Sequence, residues 1–332
     1  MFELAEKVTS WLAEGRPVRI ARVVEATGFS SRDRAVAVAL TQGQPIAGRI
    51  LAGAADDQLE ELASEPAADG LVELTVAESA ARGAGLSCGG AVRLLIQDAA
   101  EFGEEFWRLL GEGRPCGLIT ELGSGNRRST VVEPGTVPPW DTGDFDVARQ
   151  FTRGASQTAL VDTGDAQLVV TTLWPTPTLV VVGDGLIAEA LVNLAELLDW
   201  HAATYPDPSA AERISGLRPG DAVAVLSHDL PLAGPALLAA LTGQASYVGA
   251  LGSHRTQSKR RDWLAAQGLD GSMIDRIHGP AGLDIGALTP YEIAVAIMAE
   301  ALAVRTGRAA RPLREQTGSI HRAGLSAPPP RR

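Results

Sequence analysis

The stretch Leu179–Trp200, "LVVVGDGLIAEALVNLAELLDW", decides how this chain is read. It opens as a continuous apolar run with no polar alternation, as a strand buried on both faces does. Gly183, Gly185 and Ala188 follow at Gly-x-Gly-x-x-Ala spacing, and the residues beyond carry helical periodicity. In a strand–turn–helix context each small residue has a physical reason. Gly183 permits the tight turn, Gly185 lets backbone approach a phosphate, and Ala188 lets the helix pack close to the strand. The helix start offers unpaired N–H groups to an anion. A phosphate-bearing ligand is one reading of the turn, and a packing turn in a domain without a ligand is the other.

Working outward, "HAATYPD", "DAVAVLS" and "ASYVGALGS" read as further strands. The helices "PLAGPALLAALTG", "RTQSKRRDWLAAQG" and "PYEIAVAIMAEALAVRTG" follow or separate them. Strands alternating with helices predict an α/β fold, a Rossmann-like parallel sheet with helices on both faces. That domain is expected over 176–310, starting after the Pro-rich "WPTPT". Before it, residues 1–175 predict an α+β domain of short strands, such as "PVRIARVVEATG" and "GGAVRLLIQ", with a helix at "AADDQLEELASE". The piece "EPGTVPPWDTGDFD" reads as loop. The tail 311–332, without periodicity from about Thr317, is expected to be disordered.

Composition narrows the function classes. With 45% hydrophobic and 21% charged residues the chain is expected to be globular, and no apolar run is long enough for a membrane helix. The N-terminus lacks the pattern of a secretory signal, so a cytoplasmic location is expected. A formal charge of −11 opposes binding to nucleic acid or to an anionic membrane, so an anionic ligand needs a local basic patch. Cys88 and Cys116 form no CxxC pair, and reduced thiols without a metal site are expected.

The densest basic patch is "SHRTQSKRR", at the end of the strand "ASYVGALG". That strand should open on the same sheet edge as Gly183. Ser253 suits the N-cap of the next helix, placing Arg255 and Lys259 four residues apart near the positive end of its dipole. Gly252, Ser253 and Arg255 read as an anion seat. Lys259, Arg260 and Arg261 read as a solvated helix face. Asp207 lies after the second strand, where an acidic residue can hold a ribose hydroxyl. His228 and Asp229 end another strand and either orient a ligand or cap the following helix. Thr289–Glu292 reads as a capping box. The Gly-rich "GPAGLDIGA" before it suggests a close backbone approach or a ligand, with Asp284 as its polar side chain. Glu300, on an otherwise apolar helix face, is expected to have a structural partner. No catalytic residue set stands out.

Four segments together, Gly183–Gly185, "SHD" at Ser227–Asp229, "YVGALGSHRT" at Tyr247–Thr256 and "GPAGLDIGALTPYEIAVAIMAE" at Gly279–Glu300, resemble the C-terminal domain of the XdhC/CoxI family. "LSCGGAVRLLIQ" at Leu86–Gln97 is similar to that family's Cys-Gly-Gly segment. The resemblance implies a non-enzymatic accessory protein of xanthine dehydrogenase and carbon monoxide dehydrogenase type molybdenum hydroxylases. Such a protein binds molybdenum cofactor (molybdopterin, or a dinucleotide form of it) while a cysteine desulfurase supports installation of its sulfido ligand. It then delivers the cofactor to the apoenzyme. The cofactor-binding residues so implied are Gly183, Gly185, Ala188, Asp207, His228, Asp229, Gly252, Ser253, Arg255 and Asp284, and a homodimer is expected. The chain departs from the family pattern at "RILAGAADDQ", where Ala54 stands in place of a cysteine and Asp56 in place of a glutamate, and at Ser31-Arg32, where Pro-Arg is usual. An NAD(P)-binding oxidoreductase and a nucleotide-sensing regulator are the competing readings.

Overall fold

The computed structural model describes residues 1–29, 37–64, 69–123, 127–143, 145–152, 154 and 156–315. Ser31, Arg32 and the tail beyond 315 lie outside the described residues. The chain divides into two compact units, one of Met1–Phe151 with Ser156–Pro175, the other running on from Thr176 and including Thr152–Ala155.

In the first unit, helix α1 (Ala5–Ala13) leads into strands β1 (Arg19–Thr27), β2 (Ala37–Leu40) and β3 (Ala47–Gly48). Helix α2 (Asp56–Ser64), strand β4 (Gly70–Val76), helix α3 (Glu78–Gly83) and strand β5 (Gly90–Asp98) follow. These strands make one antiparallel sheet in the order β3-β2-β1-β5-β4. Helix α4 (Gly103–Gly111) leads to β6 (Cys116–Leu122), β7 (Arg128–Val132), helix α5 (Val147–Thr152), β8 (Gln157–Asp162) and β9 (Gln167–Leu173), whose antiparallel sheet runs β7-β6-β9-β8. Strand β4 and helices α3 and α4 add to what periodicity predicts.

Alternation along β1 assigns its side chains to opposite faces. Ala21 joins the apolar cluster with Leu59 of α2 and Ala81 of α3, while Ile20 joins the one with Trp11 of α1 and Phe106 of α4. Val24 packs with Leu95 and Val169 where the two sheets meet. Arg22 lies in that seam, 1% exposed, with Nη1 donating to Thr171 Oγ1 at 3.1 Å and Nη2 to Thr120 Oγ1 at 2.9 Å and to Gln97 Oε1. One side chain thus ties both sheets.

The second unit contains β10 (Thr178–Val182), α6 (Leu186–Leu197), β11 (His201–Tyr205), α7 (Ser209–Ser215), β12 (Ala222–Val225) and α8 (Leu230–Thr242). It continues with β13 (Tyr247–Ala250), α9 (His254–Ala266), α10 (Gly271–Ile274), β14 (Ile277–His278) and α11 (Pro290–Thr306). All strand pairs are parallel, in the order β11-β10-β12-β13-β14. Val180, Val182, Val223 and Val225 pack beneath α7 and α8. Their neighbours Leu179, Val181, Ala222 and Ala224 pack beneath α6 and α11. Covering on both faces is the physical reason these strands are apolar throughout. Helix α7 and the short α10 and β14 are the additions to the expected pattern. No described helix is long and apolar enough to cross a membrane.

Candidate functional site

The strand order changes direction at β10. The chain leaves β10 through α6 to reach β11 on one side, and later returns to β12 on the other. Open parallel sheets bind ligands outside the carboxyl ends of strands at such a switch point, because the diverging crossovers leave a crevice there.

Three strand ends converge at this crevice. Gly183 has φ +123°, and its N–H donates to Tyr205 O at the end of β11 at 3.0 Å. A β-carbon on Gly183 would lie 3.2 Å from the Ser227 nitrogen, so glycine permits the close pass beside the end of β12. Gly185, at φ +87° and ψ −175°, occupies the N-cap of α6, with no side-chain cap, and a β-carbon placed on it would meet no atom within 4 Å. The first N–H groups of α6 thus have no side-chain cap, and a helix start leaves such groups without intrahelical partners. Ala188 is fully buried between α6 and the sheet.

After β12, His228 and Asp229 are both exposed. Asp229 holds the N-cap position of α8, but its side chain makes no cap hydrogen bond. His228 Nδ1 would lie 3.3 Å from a β-carbon on Gly252, so the ends of β12 and β13 touch. After β13, Ser253 is the N-cap of α9, its Oγ accepting from Thr256 N–H at 3.3 Å. Arg255 and Lys259 are exposed and enter no ion pair among the described residues. Asp207, after β11, accepts from Ser209 N–H at 2.8 Å; hydrogen bonds from Ser209 hold its carboxyl below the usual range.

The Gly-rich segment 279–288 flanks the same edge. Ala281 N–H donates to Ala250 O at 3.1 Å, and a β-carbon on Gly279 would lie 2.8 Å from the Gln257 side chain. Asp284 is exposed on this segment, with no bond linking it to the glycine turns. The capping box at Thr289 and Glu292 is formed.

Glu300 has structural partners, as expected of it. Its Oε2 accepts from the Tyr247 hydroxyl at 2.7 Å and Gly282 N–H at 2.8 Å, and its Oε1 lies 3.3 Å from His278 Nδ1. Burial pushes the carboxyl up, but the bonds from His278, Gly282 and Tyr247 outweigh it and hold it below the ordinary value. A depressed folded-state pKa contributes stability that is present above the unfolded value and lost as pH falls through the folded one. Glu300→Gln is thus expected to cost about 1–2 kcal/mol near neutrality, with the gap to wild type closing below about pH 4. Urea denaturation at both pH values checks this.

Arg260 corrects the sequence reading. Instead of lying on a solvated face it is 2% exposed, bonded to Ser227 O, Leu251 O and Gln257 Oε1. Gln257, Arg260 and Leu264 are the buried residues of α9, at i, i+3 and i+7. That spacing was the available signal, and a run of neighbouring charges hid it.

In the first unit, the turn that carries Ala54 has Leu51 at φ +48°, Ala52 at φ +55° and Gly53 at φ +90°. Asp56 Oδ1 is buried there without a partner, and burial pushes its carboxyl up. Cys88 Sγ donates to Gly28 O at 2.7 Å. Among the described residues no group of three His, Cys, Asp or Glu is placed to hold a metal ion.

Residues 179–301 match the XdhC Rossmann domain family. The chain is 30% identical over 131 residues to the molybdenum cofactor insertion chaperone PaoD of Escherichia coli, which is 40% of this chain and 41% of that protein. It therefore spans about two fifths of the length of this curated relative. A crystal structure described as a xanthine dehydrogenase from Bacillus halodurans superposes with a TM-score of 0.57 at 16% identity, covering 92% of this chain and 96% of that one. At that identity the likeness is one of fold. Residues 179–301, which carry the glycine turn and the strand-end loops described above, are thus similar to the XdhC Rossmann domain.

Proposed function

We propose that this chain binds molybdenum cofactor by its phosphate at the carboxyl edge of the parallel sheet. It then delivers the cofactor to the apoenzyme of a molybdenum hydroxylase of xanthine dehydrogenase or carbon monoxide dehydrogenase type. In this reading residues 176–310 hold the cofactor, and residues 1–175 meet the recipient enzyme and a cysteine desulfurase. The observation that carries it is the convergence of Gly183, Ser227-His228 and Gly252-Ser253 at one switch point. The printed function of the Escherichia coli relative supports the choice of ligand.

The residues present fit a phosphate. Gly185 leaves room for backbone approach, α6 opens without a side-chain cap, and Arg255 is an exposed charge with no ion pair among the described residues. His228, exposed beside Gly252, is placed to orient the pterin, and Asp229, Asp207 and Asp284 are polar groups for its rim, Asp207 serving a ribose if the ligand is a dinucleotide. The molybdenum centre supplies the redox chemistry of the recipient enzyme, while this chain binds and transfers.

Released cofactor, followed by pterin fluorescence, is expected to stay with the purified protein through gel filtration at micromolar concentration. The double variant Ser253→Ala, Arg255→Ala is expected to bind about tenfold more weakly with a small loss of stability, about 1 kcal/mol from the cap. If the variant unfolds, the two residues form a cap alone. If only Ala54→Cys binds, the missing thiol is decisive and the natural chain is not a cofactor carrier. Turnover of NAD(P)H with no pterin retained would replace this reading with an oxidoreductase.

A further inference from the structure

Helix α9 begins with His254, Arg255, Lys259, Arg260 and Arg261 within eight residues of an acidic chain. Arg261 is paired, with Nη2 2.7 Å from Asp275 Oδ1. Arg255, Lys259 and Arg260 form no ion pair among the described residues, and of these only Arg260 is buried.

Every partner of Arg260 is neutral. Its Nη1 donates to Leu251 O at 2.8 Å and Gln257 Oε1 at 3.1 Å, and its Nη2 to Ser227 O at 2.7 Å. Its Nε is buried with no acceptor among the described residues. Burial lowers its pKa, and among the described residues no carboxylate pairs with it to oppose the shift. Buried charges are ordinarily matched by an opposite charge, because removing one from water is expensive. Apolar side chains would fill this space at lower cost, so something other than packing accounts for a guanidinium here.

Its position supplies the reason. Ser227 follows β12 and lies against Gly183; Leu251 follows β13 and precedes Gly252. Gln257 extends the clamp, with Nε2 donating to Ala250 O at 2.8 Å and Gly252 O at 3.4 Å. Two side chains on one turn of α9 therefore fix four carbonyls along the two loops that border the crevice. The clamp leaves one positive charge behind them, shielded from water, where it acts over a longer range than an exposed one.

We propose that Arg260 is the positioning residue that sets the charge specificity of this site, its missing counter-charge being the phosphate of the ligand. The inference rests on the reading of the crevice as a phosphate seat. Arg255, being exposed, contributes attraction that salt screens; Arg260 contributes a preference for phosphate that salt leaves largely intact.

The test uses the oxidised, fluorescent pterin of the cofactor with its phosphate intact, and the same pterin after phosphatase treatment. Both are titrated into the full chain at about 0.1 M and about 1 M salt. Wild type is expected to prefer the phosphorylated probe at both salts. Arg260→Met is expected to lose that preference by about tenfold or more at both salts, Arg260→Lys to keep it within about threefold, and Arg255→Ala to lose it mainly at low salt. An unchanged preference in Arg260→Met overturns the inference and leaves the phosphate seat standing. Absence of any preference in wild type overturns both. Should Arg260→Met fail to fold, Arg260→Lys decides, since loss of preference there, with charge and fold retained, also overturns it.

Discussion

Replacing Gly90 with alanine is expected to destabilise the first unit by at least about 3 kcal/mol, enough that little folded protein survives mild denaturant. A β-carbon at Gly90 would lie 2.1 Å from Thr27 O, a backbone atom that cannot rotate away. The neighbouring Gly89 is as constrained, its β-carbon position lying 2.4 Å from Val76 O. Gly90 pairs with Val76 of β4 and lies beside the end of β1, where Thr27 pairs with Ala91. The two glycines let three strands draw together at the end of their sheet. Gly111→Ala is the matched control. It changes the same atoms on α4 where nothing lies within 4 Å, and alanine should stabilise that helix by up to about 1 kcal/mol. Urea unfolding of both variants checks the contrast. Equal stability of Gly90→Ala and wild type would mean that this close approach does not exist in solution. The Cys-Gly-Gly segment thus has a geometric reason for its glycines, separate from any role of Cys88.

The two thiols are expected to differ in reactivity by a factor of about a thousand or more. Cys116 opens β6, fully buried, and burial raises its thiol to about 12. At pH 8 only about one molecule in ten thousand then carries the reactive thiolate. Cys88 is half-buried at the start of the Gly89-Gly90 turn, with its Sγ on Gly28 O. With an aromatic disulfide reagent at pH 8, one thiol of the native chain is expected to react within minutes and the second only after denaturation. The Cys88→Ser variant should abolish the fast phase. Because Cys116 is fully buried, its reaction should still wait for unfolding when the pH is raised from 7 to 9, although its small thiolate fraction grows about a hundredfold. A fast phase that survives in Cys88→Ser would place Cys116 at the surface. The result matters for the proposed function, since Ala54 leaves Cys88 as the accessible thiol of this unit.

Much of the second unit was legible from residue order. A strand buried on both faces must be apolar at every position, and a helix that follows it must start at a turn that small residues permit; Leu179–Ala188 satisfies both conditions locally. Caps are legible for the same reason. Ser253 and Thr289 bond within three residues of themselves, so nothing distant bears on them.

Strands that pair across long separations left weaker marks. Strand β4 and the short β14 draw their order from neighbours elsewhere in the chain, and α7 has only seven residues in which to show a period. The turn at Leu51–Gly53 shows the opposite failure. Ala52 holds a left-handed conformation there that alanine disfavours, so its residue type gives no sign of the turn.

By itself the sequence determined the parallel sheet, the glycine turn at Gly183 and Gly185, and the helix starts, because periodicity, propensity and capping act over a few residues. Only the tertiary structure decided that Arg260 is a buried clamp, that Glu300 binds Tyr247, His278 and Gly282, and that Gly90 sits under Thr27. Burial and hydrogen bonding depend on what other segments bring to a residue, and no local spacing carries that information.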